Sequence, residues 1–467
     1  MSTEQSKRRA FWTAALVLTL GSYGVAGHAA AQLVIRNTNA PGVGFNDPTP
    51  AAPVGGNTGR TLGQQRLNAF MAAAAKWGAT ITSTSQIVID ASFAALPCTA
   101  TDAVLGSAGP QGGFRDFPGA RVANTFYPSA LANKQAGGDL DPTTSEIRAQ
   151  FNVNLGQPNC VPGLPFYLGL DNNHGTSIDL YTVLLHEFGH GLGFTTFTNG
   201  QTGAQANGFP TIFDLFVYDS AQHREWVEMT DAQRATSAIT PRQVVWTGSK
   251  ARAAAARTLR NGTPKLTVRT PASVSGEYLV GAAEFGPPLA IPGLSGQVGR
   301  VTGSGCSALN AADTAAIQGK IALVDRNANC NSIVLIKNAQ SAGAIGVIVA
   351  EIVAGSPPPP IRGTDNTVTV PAVRISQADG NRLKTAIASA TVNASLGISP
   401  ASRSGTDTLG RVILNTPNPF QPGSSVAHWD PIASRNLLME PADSGDLTHE
   451  LIPPNDITFP MLQDLGW

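Results

Sequence analysis

The run His186-Glu187-Phe188-Gly189-His190, continued by Gly191-Leu192-Gly193-Phe194, constrains this chain more than any other stretch. Residues four apart share one face of a helix, so the imidazoles of His186 and His190 can grip one metal ion together. Glu187, one position on, can touch a water on that ion without ligating it. This is the arrangement of a zinc hydrolase, in which zinc acidifies a water and the glutamate takes its proton. With seven histidines in 467 residues, a chance HExxH is expected roughly 0.002 times. The plainer alternative is a core helix whose histidines are merely satisfied.

The rest of the chain narrows the setting. A length of 467 residues allows two or three domains. Only 13% of residues are charged, against 49 glycines and 33 prolines, which predicts short strands, turns and long loops. The formal net charge is zero, so composition makes no case for nucleic acid or an anionic membrane as partner. Lys7, Arg8 and Arg9 precede an apolar run from Phe11 to Leu20, and Ala29-Ala30-Ala31 offers a small-residue cleavage site before Gln32. Residues 1–31 therefore read as a signal peptide. Its removal takes three basic residues and one acidic one, leaving a net charge of −2. An uncleaved anchor is the alternative. The mature chain is expected to be secreted, with the periplasm or cell surface as other destinations, and to have no membrane span. Four cysteines, Cys98, Cys160, Cys306 and Cys330, suit an oxidising compartment. Of the three possible pairings, locality favours Cys98–Cys160 and Cys306–Cys330.

Along the chain, Leu62, Leu67, Phe70, Ala74 and Trp77 recur at helical spacing, predicting an amphipathic helix packed on a sheet. Gln86 to Asp90 and Glu146 to Leu155 alternate as strands do, and the second is a candidate edge for an extended substrate. Ser177 or Asp179 can cap the helix that carries the histidines. Thr247 to Pro264, with its alanine run, reads as the approach to a domain boundary. From about 265 to 400 the texture changes. Strands at 317–326, 343–350 and 370–376 alternate with helices at 331–342 and 377–388, the pattern of a small α/β unit. Residues 401–467 are too few and too loop-rich to stand alone.

A catalytic zinc normally takes three protein ligands, and two histidines are not enough. In the commonest continuation, HExxHxxGxxH, the third would stand at position 196, where this chain has Thr196. Gly193 keeps the glycine that lets the chain turn back across the metal. His28 leaves with the signal. His174 suits a loop or cap, His223 a solvated turn and His449 a polar segment. His428 lies in Gly423-Ser-Ser-Val-Ala-His-Trp-Asp-Pro431, followed by Asn436-Leu-Leu-Met-Glu-Pro441. A HExxHxxGF motif, a long insertion, and a histidine shortly before Leu-Met-x-Pro together resemble the leishmanolysin-type branch of the metzincins. That resemblance implies zinc ligands at His186, His190 and His428, the catalytic acid/base at Glu187, and the structural Met-turn methionine at Met439. Segments Gln318–Arg326, Lys337–Val349 and Val370–Ser376, with Cys330, resemble a protease-associated (PA) domain, which is non-catalytic in related peptidases and implies an influence on substrate access or partner binding.

The expected fold class is α+β. It comprises a metzincin-like zincin body of twisted sheet plus active-site helix, in two parts (32–264 and 401–467), with the small α/β PA domain of 265–400 inserted between them. The expected function is a secreted zinc endopeptidase acting on protein or peptide substrates with one catalytic zinc ion; no pattern indicates calcium. Two alternatives stand beside it. Asp214, 24 residues after His190, is a candidate third ligand at a spacing other zincins use. An exported binding or adhesion protein with a protease-like, inactive core is the other. The inserted module is expected to fold by itself, to lie near the cleft and to supply no chemistry.

Overall fold

The computed structural model describes residues 30–355 and 357–467. The expected signal peptide lies outside them apart from its last two residues. Ala31 is buried, and its N–H is shared between the carbonyls of Gly78 and Ile81. A cut before Gln32 would remove that tie.

The architecture is mixed α+β, built around three principal sheets. The first has four strands in the order Leu33–Asn37, Ile87–Ala94, Ile147–Asn152, Gly106–Pro110; the first three run parallel and the last is antiparallel. The predicted amphipathic helix spans Leu62–Thr80, with Thr61 accepting the N–H of Gln64 as its cap. Its buried face carries Phe70, Ala73, Ala74 and Trp77. Phe70 meets Phe151 of the sheet edge-on at 5.0 Å and Phe188 of the histidine-bearing helix at 6.0 Å. The Trp77 indole N–H donates to the Leu185 carbonyl. Helix, sheet and second helix thus interlock through aromatic rings, each worth ~1.5–3 kcal/mol when buried.

The strand expected to form the sheet edge does not do so. Residues Ile147–Asn152 are paired on both sides, and the edge is Gly106–Pro110. That segment, Gly-Ser-Ala-Gly-Pro, has no β-branched or aromatic residue to announce a strand. Its conformation is imposed by pairing, and a side chain at Gly106 would meet the Phe151 ring at 2.8 Å.

A second sheet joins Arg224–Glu225, Val217–Asp219, Val244–Trp246 and Val412–Ile413. Trp246 pairs with Val412 and Val245 with Ile413, so chain on either side of residues 261–403 is zipped together. The third sheet has eight strands, all between Asn261 and Arg403. Its longest strands, Asn261–Thr270 and Asn393–Arg403, run antiparallel as the way in and the way out. Leu294–Arg300, Ile321–Asp325, Gly346–Ala350 and Ala372–Ile375 form its parallel centre. Parallel strands covered on both faces read as unbroken apolar runs, as Ile321–Val324 and Gly346–Ala350 do.

One hydrophobic cluster runs from Ala31 to Leu259 and resumes with Val412, Leu414 and residues on to Leu465. Two others lie on the faces of the eight-stranded sheet. The alanine run after Trp246 is helical over Ser249–Thr258, where the sequence suggested only a boundary. Its first N–H groups, at Lys250 and Ala251, are taken by the carboxylate of Asp464. A cap supplied from 214 residues away leaves no local signal. Both disulfides join the locally favoured partners, Cys98–Cys160 and Cys306–Cys330. Among the described residues no helix is long and apolar enough to cross a membrane.

Candidate active site

The helix carrying the HExxH motif spans Leu180–Leu192. Asp179, not Ser177, caps it, accepting from the Tyr181 N–H and the Thr182 hydroxyl. Asp179 Oδ2 lies 2.6 Å from His449 Nε2, and the His449 ring packs against Tyr181 with centroids 4.0 Å apart and the planes tilted by 39°. His449 therefore buttresses the start of the site helix. His174 keeps its Nδ1 on the Ser177 carbonyl, and His223 is exposed.

Three glycines let this helix approach its neighbours. A Cβ at Gly191 would meet Ile147 of the sheet at 2.6 Å, and one at Gly189 would meet Met439 Sδ at 2.8 Å. Gly193 ends the helix at φ 132°, a conformation that favours glycine. The chain then reverses so that Phe194 packs edge-on against Trp429 at 4.9 Å. The helix thus closes against the loop that carries His428.

That loop is strung between two other segments. Asn415 N–H donates to the His428 carbonyl, and Trp429 N–H donates to the Met439 carbonyl. Met439 is fully buried beneath the helix. Leu438 is fixed at both ends, its N–H on Asp456 Oδ1 and its carbonyl on His186 Nδ1.

His186, His190 and His428 converge. Their Nε2 atoms are 3.0, 3.2 and 3.2 Å apart. Each Nδ1 faces a backbone carbonyl, Leu438 for His186 at 2.6 Å, Phe194 for His190 at 2.8 Å and Ser424 for His428 at 3.0 Å. A carbonyl only accepts, so each Nδ1 carries the proton and each Nε2 presents a lone pair. Three lone pairs facing one another repel unless a cation lies between them. Tetrahedral zinc with bonds of about 2.0–2.1 Å needs nitrogens about 3.3 Å apart, close to the spacing here. The orienting carbonyls are what ligating histidines commonly have. Burial reinforces this by holding the rings neutral: His186 is pushed down to about 4, His190 to about 3, and His428 well below its usual value. The donor set fits zinc.

Glu187 is buried beside this cluster, and its Oε2 accepts the Ala108 N–H of the edge strand at 2.7 Å. Burial lifts its carboxyl to about 7, against the pull of that hydrogen bond. A cation among the histidines would draw it back down.

Asp214 is elsewhere. It is fully buried, its Oδ1 accepts from Thr196 and its Oδ2 from the Thr198 hydroxyl and Thr211 N–H. It belongs to no metal-sized cluster among the described residues. Thr196, at the position of the absent histidine, spends its hydroxyl on this carboxylate.

A cleft of about 910 Å³ opens over the histidines, with Leu105, Ala108, Leu438 and Phe420 in its walls. No lysine or arginine lines it, whereas Asp102, Glu440 and Asp443 do. Sequence reasoning missed Ala108, Asp456, Glu440 and the role of His449. Backbone donors and single carboxylates carry no motif. Asp179 was visible as a cap only.

Residues 294–383 match the PA domain family. No curated protein matches the chain. Among solved structures it is similar to a zinc aminopeptidase from Bacillus subtilis, at 26% identity over 30% of this chain and 32% of that one, with a TM-score of 0.23. It is similar to an aminopeptidase from Aneurinibacillus sp. strain AM-1, at 16% identity over 44% and 45%, TM-score 0.24. It also resembles a psychrophilic subtilisin-like protease from Pseudoalteromonas sp. AS-11, at 22% identity over 30% and 34%, TM-score 0.21. The chain spans between about a third and under half the length of these structures, and likenesses of this size carry no argument about catalysis. Within its eight-stranded sheet, then, the chain contains a PA domain.

Proposed function

We propose that this protein is an exported zinc endopeptidase of the leishmanolysin-like metzincin branch. In this reading residues 32–264 and 401–467 form the catalytic body, and 265–400 form the PA domain lodged between the second and third ligands. The observation that carries the reading is the donor set: three Nε2 lone pairs aimed at one point, with every Nδ1 proton engaged. His186, His190 and His428 would hold one zinc ion, which when bound supplies Lewis-acid chemistry to the scissile carbonyl and the attacking water.

The chain's own residues account for the rest. Glu187 takes the proton of the attacking water and passes it to the leaving amine. The Ala108 N–H holds Oε2 so that Oε1 is left for that proton. The strand bearing Ala108 has an unpaired outer edge among the described residues, which suits an extended peptide added as a further strand. A grip on main chain along the cleft needs no free terminus, which favours cutting within chains. Two disulfides and a basic-then-apolar N-terminus favour an exported, oxidised protein.

The test uses mature protein and peptides blocked at both ends. Wild type should hold one zinc and cleave them. Glu187→Gln should keep zinc and lose ~10²–10⁴-fold in turnover. Near-wild-type cleavage by the variant would sink the mechanism. Cleavage of free but not blocked peptides would replace the endopeptidase by an aminopeptidase. Zinc without cleavage of any peptide or unfolded protein would favour the binding-protein alternative.

A further inference from the structure

Glu440 is a buried carboxyl that the proposed chemistry does not use. It lines the cleft, yet its side chain has no exposure. Burial pushes its carboxyl well above the usual range, so an ionised Glu440 demands a partner. That partner comes from the PA domain. Arg362 Nη2 lies 3.3 Å from Glu440 Oε2. Its Nη1 donates to the Ala442 carbonyl at 2.8 Å and to the Asp443 carbonyl. One guanidinium fork thus spans three acceptors on the turn 440–443, a geometry an ammonium cannot reproduce. A second tie runs from Asn436 Nδ2 to Glu284 Oε1 at 3.3 Å, Glu284 also belonging to the insertion.

The turn held this way is a wall of the cleft, contributing Leu438, Pro441, Asp443 and Leu447 to a lining that also includes Val183 of the site helix. It is also two links from a metal-site histidine. Glu440 Oε1 accepts the Leu437 N–H at 2.8 Å, and the next residue, Leu438, receives the His186 Nδ1–H. We infer that Arg362 is a positioning residue through which the PA domain sets the 438–447 wall and thereby selects the substrate side chain lodged against it. This agrees with the expectation that the insertion supplies no chemistry and gives its expected influence on substrate access a residue: it contributes no catalytic group but ties down part of the pocket. The inference rests on the peptidase reading for its substrate and on geometry alone for the wall.

The experiment uses full-length, zinc-loaded protein. Arg362→Ala, Arg362→Lys and Glu440→Gln are compared with wild type by zinc content, cleavage of a blocked-peptide library, and hydrogen exchange of residues 436–447. Arg362→Ala should keep zinc and exchange faster across 436–447. It should raise KM for the wild type's best peptide on the order of tenfold, with kcat changing far less, because the wall loses its three charge-assisted contacts while the metal site keeps its own. Its ranking of side chains should change. Arg362→Lys should recover only part of this. Zinc-loaded Arg362→Ala with unchanged exchange and side-chain ranking overturns the inference. If Arg362→Ala does not fold, Glu440→Gln, which keeps both carbonyl contacts, must show the same shifts in milder form, and their absence overturns it equally. The exchange arm decides the wall even if wild type cleaves nothing, an outcome that would defeat the peptidase reading alone.

Discussion

The helix that carries His186 and His190 and the loop that carries His428 bring their imidazoles to one point by opposite means. On the helix, the 3.6-residue period aligns residues four apart, the Asp179 cap fixes the start, and a positive-φ glycine fixes the end. On the loop, no repeating local geometry does this, although the Ser424 carbonyl four residues back holds His428 Nδ1. Its shape is set by Asn415, Met439, Asp456 and, through Glu440, by Arg362 of the inserted domain. The two halves touch at a packing joint, Gly189 against Met439. Local order makes the first half robust and readable. The second half depends on contacts spread over the whole chain, so its geometry is more readily perturbed from a distance.

Two substitutions away from the ligands probe this contrast. The larger effect belongs to Asp214→Ala, which strands two buried donors, the Thr198 hydroxyl and the Thr211 N–H, and the half-buried Thr196 hydroxyl. Unpaired buried groups cost about 1–3 kcal/mol each, so denaturant unfolding should show a loss of at least ~2 kcal/mol, with zinc still bound in the folded protein. A folded Asp214→Ala without zinc would move the third ligand to Asp214 and break the comparison. Gly189→Ala is subtler. In an open helix the change would gain about 1 kcal/mol. Here the new methyl meets Met439 Sδ at 2.8 Å in a fully buried setting, and overpacking costs about 1–3 kcal/mol. The net expectation is a loss of ~1 kcal/mol by denaturant unfolding, and a double variant with Met439→Ala, whose own cavity costs about 2–5 kcal/mol, that loses less than the sum of the two. A Gly189→Ala protein more stable than wild type would show that the joint is loose.

Legibility in the sequence follows the same division. The histidine helix, the amphipathic helix ending near Trp77 and the strand–helix alternation of the insertion all rest on periodicity within a dozen residues. His428 and Met439 were reachable only through resemblance to a family, since no spacing rule links His190 to a residue 238 positions away. The edge strand Gly106–Pro110, the helix Ser249–Thr258 and the Arg362–Glu440 contact were not reachable at all. Each is specified by a partner remote in sequence: Phe151 and its strand, the Asp464 carboxylate, and a guanidinium in a loop of the PA domain. Where tertiary contacts choose the conformation, local propensity is silent.

The central claim is that one metal site spans the 237 residues between His190 and His428. Its most direct test is zinc stoichiometry and affinity of purified mature protein, wild type beside His428→Ala and His449→Ala, with folding checked by circular dichroism. Wild type and His449→Ala should each hold one zinc per chain. His428→Ala should retain its fold and lose at least ~100-fold in zinc affinity, as removal of a ligand costs no less than the 10–100-fold seen for its supporting contacts. Zinc bound by folded His428→Ala with wild-type affinity would contradict the account.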